Sequence, residues 1–231
     1  LSEMPVNNQY FLILLSGIID SLSENGYAII VGKQHKIQYR CDGVIVMGLH
    51  SGQTDFFSQN IKQACVLFGK TDEAVDYVDL DNESGIAMAT EHLIALGHGR
   101  IGFIAIDLDE PYVKERLNGY TKTMRAHGLK PHRDWIVSSP VNINDARETA
   151  VKLLRDNDIS ALVCSNDLIA TGVIEAAREL GRHVPGDLSV TGFDGIMLHS
   201  VTDPKLTTVV QPVYEIGQKL SEVLIERIKN P

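Results

Sequence analysis

Positive charge is what this chain has too little of: 21 Lys and Arg stand against 30 Asp and Glu, a formal net charge of −9. A protein that grips a phosphate backbone needs a basic face, so contact with nucleic acid is expected from another part of the protein. Long apolar runs are missing as well. The densest, FLILLSGII from Phe11 to Ile19, is shorter than the roughly 18 to 20 residues of a membrane span and has no cationic flank of the kind a secretory leader carries. Neither a membrane partner nor secretion is expected. Cysteine is scarce and odd in number, and Cys41, Cys65 and Cys164 lie in or beside apolar strand patterns, where a thiol acts as a small hydrophobe. A reducing, cytoplasmic setting follows.

The signatures of catalysis are also absent. There is no G-x-S-x-G elbow, no Walker loop and no C-x-x-C pair. The eight histidines include no i, i+4 pair on a helix of the kind a zinc site needs, since His92 and His98 only flank one helix end. A literal G-x-G-x-x-G at Gly97, Gly99 and Gly102 stands between a helix and the strand that follows it. A dinucleotide loop has the opposite order, so these glycines read as a helix stop and a tight turn. The expectation is therefore no enzyme, no metal and no cofactor.

What the chain does have is alternation. Strand-like runs recur at Ala28–Val31, Gly43–Met47, Ala64–Phe68, Tyr77–Leu80, Ile101–Ala105, in WIVS, ALVCS and LSVTG. Helical periods lie between them at Phe11–Ser23, Ser84–Leu96, Leu117–His127, Asp145–Arg155 and Asp167–Leu180, with a last one at Val213–Ile228. Such βα order predicts an α/β fold of parallel sheets with helices on both faces. A break near Asp79–Asn82 and another near Val209–Pro212 divide it into two lobes, residues 1–80 with 211–231 and residues 81–210. One interval is too short. Only GKQHKIQYRCD separates Val31 from Gly43, yet a parallel crossover needs a dozen or more residues. Either its helix is deleted or the interval is longer than written, the second being favoured because KIQYRCDG reads as the tail of such a helix.

The stretch from Ala161 to Asp194 carries the site. It reads as a buried strand ending in Asn166-Asp167, a helix stopped at Gly181, and a second buried strand ending in Gly192-Phe193-Asp194. Polar groups at the carboxyl ends of adjacent parallel strands stand where open α/β sheets bind ligands. Asn166 and Asp167 are equally suited to capping the helix that begins there. Arg116, taken as opening the helix in ERLNGY, is a forked donor for hydroxyl or carboxylate oxygens or the partner of a surface acid. Tyr10 and Phe11 are core residues of the first helix by default, or aromatic faces for a sugar ring or base.

Four stretches, VDLDNESGIAMATEHLIALGHGRIGFIA, ERLNGYTKTMRAHGL, ALVCSNDLIATGVIEAARELGRHVPGDLSVTGFD and LTTVVQPVYEIGQKL, occur in this order from Tyr77 to Leu220. They resemble the effector-binding core of the LacI/GalR bacterial transcription regulators. The resemblance implies two doubly wound parallel-sheet lobes of the periplasmic-binding-protein-like type I, with a ligand cleft between them. It also implies a small-molecule effector, a sugar or sugar derivative, and a homodimer. Operator DNA would be read by a helix-turn-helix absent from this chain. Carried over residue by residue, the effector contacts are Tyr10 and Phe11 in NNQYF, Arg116 in ERLNGY, Asn166 in SND, Asp194 in GFD and Gln211 in LTTVVQP, while Gly195 stands where the family has a second aspartate. The alternative of another class is a periplasmic sugar-binding protein serving a transporter.

Overall fold

The computed structural model describes residues 9–32, 40–47, 61–71, 74–196 and 202–230. The chain separates into two compact units, Leu1–Leu80 with Pro212–Pro231, and Asp81–Gln211. In the first, α1 (Gln9–Glu24) and the last helix, α6 (Val213–Lys229), accompany a three-stranded parallel sheet of β1 (Gly43–Met47), β2 (Ala64–Phe68) and β3 (Asp76–Val78) in that order. α6 bears Leu220, Leu224 and Ile225 on its buried side. Its end is tied to β3 by Arg227, whose Nε and Nη2 lie 2.7 and 2.6 Å from Asp76 Oδ2.

The second unit holds a five-stranded sheet in the order β5-β4-β6-β7-β8, parallel throughout. The strands are β4 (Ile101–Ile106), β5 (Ile136–Ser139), β6 (Ala161–Cys164), β7 (Ser189–Asp194) and β8 (Thr207–Val210). Every residue of β4 and β6 is buried, as expected of parallel strands covered on both faces, which read as unbroken apolar runs. The helices are α2 (Asn82–Ala95), α3 (Pro111–Ala126), α4 (Ile143–Asp156) and α5 (Asp167–Glu179), and a 3-10 turn spans Arg133–Trp135. Fully buried Tyr120 of α3 stacks on Phe103 at 5.2 Å and donates its hydroxyl to Ile101 O at 2.8 Å, so even its polar end is satisfied. The chain leaves β4 for β5 on one side and leaves β6 for β7 on the other. The order therefore reverses between β4 and β6, and the crevice beyond their carboxyl ends is the place where such sheets take ligands.

Several expectations need correction. Ala28–Val31 forms no strand, and Ile30 and Val31 are exposed; a strand exists only where a neighbour supplies its ladder, and among the described residues none pairs with this segment. Residues 33–39 lie outside the described residues. α3 begins at Pro111, earlier than Leu117, because proline's preset φ suits the first helical position; Arg116 thus lies in its second turn and does not open it. β8 was not expected at all, its Thr207-Thr208-Val209-Val210 being a half-exposed edge strand.

The helices of the second unit pair by close backbone approach. A Cβ added at Gly119 of α3 would strike the Glu83 carbonyl of α2, and one at Gly172 of α5 would come within 2.6 Å of Ile143 O on α4. Gly119→Ala and Gly172→Ala should each lower the unfolding free energy by about 1–3 kcal/mol through overpacking, although alanine is the better helix former by about 1 kcal/mol. Gly99→Ala, whose nearest neighbour would be a Leu129 methyl at 3.8 Å, should stay within about 0.5 kcal/mol. Urea denaturation of the three variants checks this; equal stability of all three would contradict it.

Candidate functional site

Asn166 ends the β6 segment in extended backbone, and its side-chain oxygen accepts the Ile169 N–H at 2.8 Å. It therefore caps α5, and its amide nitrogen has no hydrogen-bond partner among the described residues. Asp167 beside it is tied down more tightly. Its Oδ2 accepts the Gly195 N–H at 2.9 Å and its Oδ1 accepts the Thr208 hydroxyl at 2.6 Å, which joins the start of α5 to the end of β7 and to β8. Gly192 permits this, because a Cβ there would collide with Asp167 Oδ1.

Asp194 closes β7 with φ of 122°, the one positive φ among the described residues other than glycine. Aspartate tolerates that region better than branched residues do, and Gly195 follows with φ of 70°. The resulting turn is bonded across to the end of β8: Gln211 donates its backbone N–H to Asp194 O at 3.0 Å and its Nε2 to Asp194 Oδ1 at 2.7 Å. Gln211 is 7% exposed, whereas about a quarter (26%) of the Asp194 side chain remains accessible.

Arg116 reaches the same place from α3 and is 6% exposed. Its guanidinium lies over the Phe193 ring at 4.1 Å and near Tyr112 at 5.1 Å, within range of the attraction between a cation and a ring face. Nε donates to Asn82 Oδ1 at 2.9 Å and Nη1 to Ser165 O at 2.7 Å. Asp194 Oδ1 stands 4.0 Å from Nη1, opposite in charge yet beyond hydrogen-bond reach. Ser165 Oγ, beside the cap, is buried with no partner among the described residues. The arrangement offers a carboxylate acceptor, a cationic donor and amides, which suits a ligand carrying several hydroxyl groups.

Of the six residues expected from the sequence, Gln211 is bonded to Asp194, Arg116 stands 4.0 Å from Asp194, and Asn166 adjoins them through the Ser165 carbonyl that Arg116 grips. Tyr10 and Phe11 stand in the first turn of α1, in the first unit, both half-buried, with Tyr10 stacked on Phe68 at 6.2 Å. Sequence reasoning passed over Asn82, which it placed only at the break between the lobes, and Phe193, which it placed only in a buried strand. Among the described residues no group of three or more His, Cys, Asp or Glu is placed to hold a metal ion, and no helix is long and apolar enough to cross a membrane. Burial pushes the Cys65 thiol up to about 12 and raises that of Cys164 also, which suits inert packing rather than reactivity.

The Asp194 carboxyl is pushed up to about 7, chiefly by burial, with Arg116 opposing the rise and the Asp167 carboxylate adding to it. Between its ordinary value of 3.8 and about 7 the folded protein holds a proton that the unfolded chain has released. The stability from this group is thus fully present at low pH and is lost as the pH rises through 7. Asp194→Asn, which cannot titrate and tolerates positive φ, should gain stability relative to the parent as the pH is taken from 4 to 8. Denaturation curves across that range check this, and a parent-variant difference that does not change with pH would refute it.

The sequence matches the family described as "Periplasmic binding protein-like domain" over residues 90–231. It is 35% identical over 229 residues to an uncharacterised HTH-type transcriptional regulator, YvdE, of Bacillus subtilis, the match covering 99% of this chain and 72% of that protein. In structure it is similar to the transcriptional regulator CelR in complex with cellobiose, with a TM-score of 0.88 at 26% identity over 96% of this chain and 73% of that one. It is also similar to a LacI family transcriptional regulator from Enterococcus faecium with bound ribose, with a TM-score of 0.83 at 26% identity over 98% and 88% of the two chains. These relatives are transcriptional regulators, neither enzymes nor transport proteins, which decides between the two readings of the sequence. The chain belongs to the periplasmic-binding-protein-like family, as the effector-binding core of a LacI-type transcriptional regulator.

Proposed function

We propose that Asp194, Arg116, Asn166 and Gln211, with Tyr10 and Phe11, bind a neutral sugar or sugar derivative as effector. The observation that carries this reading is the Asp194 carboxylate 4.0 Å from the Arg116 guanidinium at the end of β7. Acceptor and donor side by side match the adjacent hydroxyls of a sugar. The cellobiose bound by CelR and the ribose bound by the Enterococcus regulator support the ligand class. The two units, residues 1–80 with 212–231 and residues 81–211, act as lobes that close on the effector. In a cytoplasmic homodimer this closure changes the spacing of two helix-turn-helix domains on operator DNA, which is allostery between distinct sites.

The test is a thermal-shift screen of monosaccharides including ribose, disaccharides including cellobiose, sugar phosphates and nucleosides. A true effector at about 100 times its Kd should stabilise the native state by about 2.7 kcal/mol. The best hit is then titrated by calorimetry into Asp194→Ala and Arg116→Ala. Charge-assisted hydrogen bonds of about 1.5 to 3 kcal/mol predict affinity lower by roughly tenfold to a hundredfold. Affinity equal to the parent's in both variants would overturn the assignment.

A further inference from the structure

The chain passes between its two units at two places, Leu80–Asp81 and Gln211–Pro212. A buried amide side chain stands at each, and each amide holds a different charged group of the candidate site. Asn82, one residue past the first passage and 2% exposed, accepts Arg116 Nε at 2.9 Å through Oδ1 and donates from Nδ2 toward Glu115 Oε2 at 3.4 Å. Gln211, the last residue before the second passage, donates from Nε2 to Asp194 Oδ1 at 2.7 Å. Both residues touch regular structure at once: Asn82 is the first residue of α2, and Gln211 directly follows β8, with Pro212 capping α6 after it.

The choice of amides has a physical consequence. A carboxylate at position 82 would neutralise Arg116, and a cation at position 211 would neutralise Asp194, whereas an amide fixes the position of a charged partner and leaves its charge unspent. The two charged groups are themselves 4.0 Å apart, so one ligand can engage both. We propose that Asn82 and Gln211 are positioning residues that transmit occupancy of the site to the two passages, because a ligand drawing Arg116 or Asp194 toward itself pulls on the backbone where the units are joined. This rests on reading Arg116 and Asp194 as effector contacts.

Hydrogen-deuterium exchange of the ligand-free chain, followed by peptide mass spectrometry, tests the coupling. Arg116→Ala should speed exchange in residues 80–85 by on the order of tenfold to a hundredfold, the loss of one hydrogen bond to a charged group, and leave 209–213 close to the parent. Asp194→Ala should do the reverse. Asp194→Asn, which keeps an oxygen for Gln211 Nε2, should restore protection at 209–213, a rescue that general loosening would not give. Exchange that rises equally in both passages and in β4, or that rises in neither, overturns the proposal. Thermal shift with cellobiose and with ribose on the same variants separates this from the site reading. Passage-specific exchange with sugar shifts unchanged in Asp194→Ala contradicts the effector assignment and keeps the coupling. Weakened sugar shifts with parent-like exchange contradict the coupling.

Discussion

Asp194 keeps its carboxyl group 4.0 Å from the guanidinium of Arg116 without closing the gap, and the rest of the second unit is arranged around that separation. A closed ion pair would be more stable in isolation but would have nothing left to offer a ligand. Here each partner is held by other groups: Arg116 by the Asn82 side chain, the Ser165 carbonyl and the Phe193 face, Asp194 by the Gln211 amide. The cost is visible in the raised affinity of Asp194 for a proton, which arises because burial outweighs the attraction of Arg116. Strain and poor charge compensation of this kind are found where function, rather than stability, sets the geometry.

The scaffold makes the arrangement affordable by being rigid elsewhere. β4 and β6 are buried along their full length, and the chain order reverses between them, which opens the crevice that their loops line. Asp167 performs the structural work at the end of β7 that Asp194 does not. Its two oxygens tie Gly195 and Thr208 together and so fix the turn on which Asp194 stands. Two adjacent strand ends thus carry one carboxylate spent on the fold and one that we propose as an effector contact. From composition alone the two are indistinguishable; the hydrogen-bond partners separate them.

The parallel fold was legible because β4 and β6 are continuous apolar runs and the intervening helices keep a 3.6-residue period. Asn166 was legible because it follows such a run, and Asp194 because it ends the Val190–Phe193 stretch of β7. What could not be read depends on partners distant in sequence. Ala28–Val31 has the composition of a strand and lacks a partner strand among the described residues, whereas Thr207–Val210 has a weak pattern and becomes β8 because β7 supplies its ladder. The start of α3 was missed because PYVKER contains few apolar residues to show a period, although Pro111 marks it. Asn82 lies 34 positions from the arginine it holds, and no local pattern signals such a bond. The cap reading and the ligand reading of Asn166 were posed as alternatives, yet the cap uses only its oxygen.

The central claim is that its surroundings leave the Asp194 carboxylate uncompensated and available. The most direct measurement is a carbon-13 NMR titration of the side-chain carboxyl carbons, with the Asp194 signal assigned by its loss in Asp194→Asn. The account predicts a midpoint at about 7 for Asp194 in the ligand-free protein. A midpoint at the ordinary aspartate value of about 4 would show that Arg116 and solvent already satisfy the carboxylate, and would contradict it.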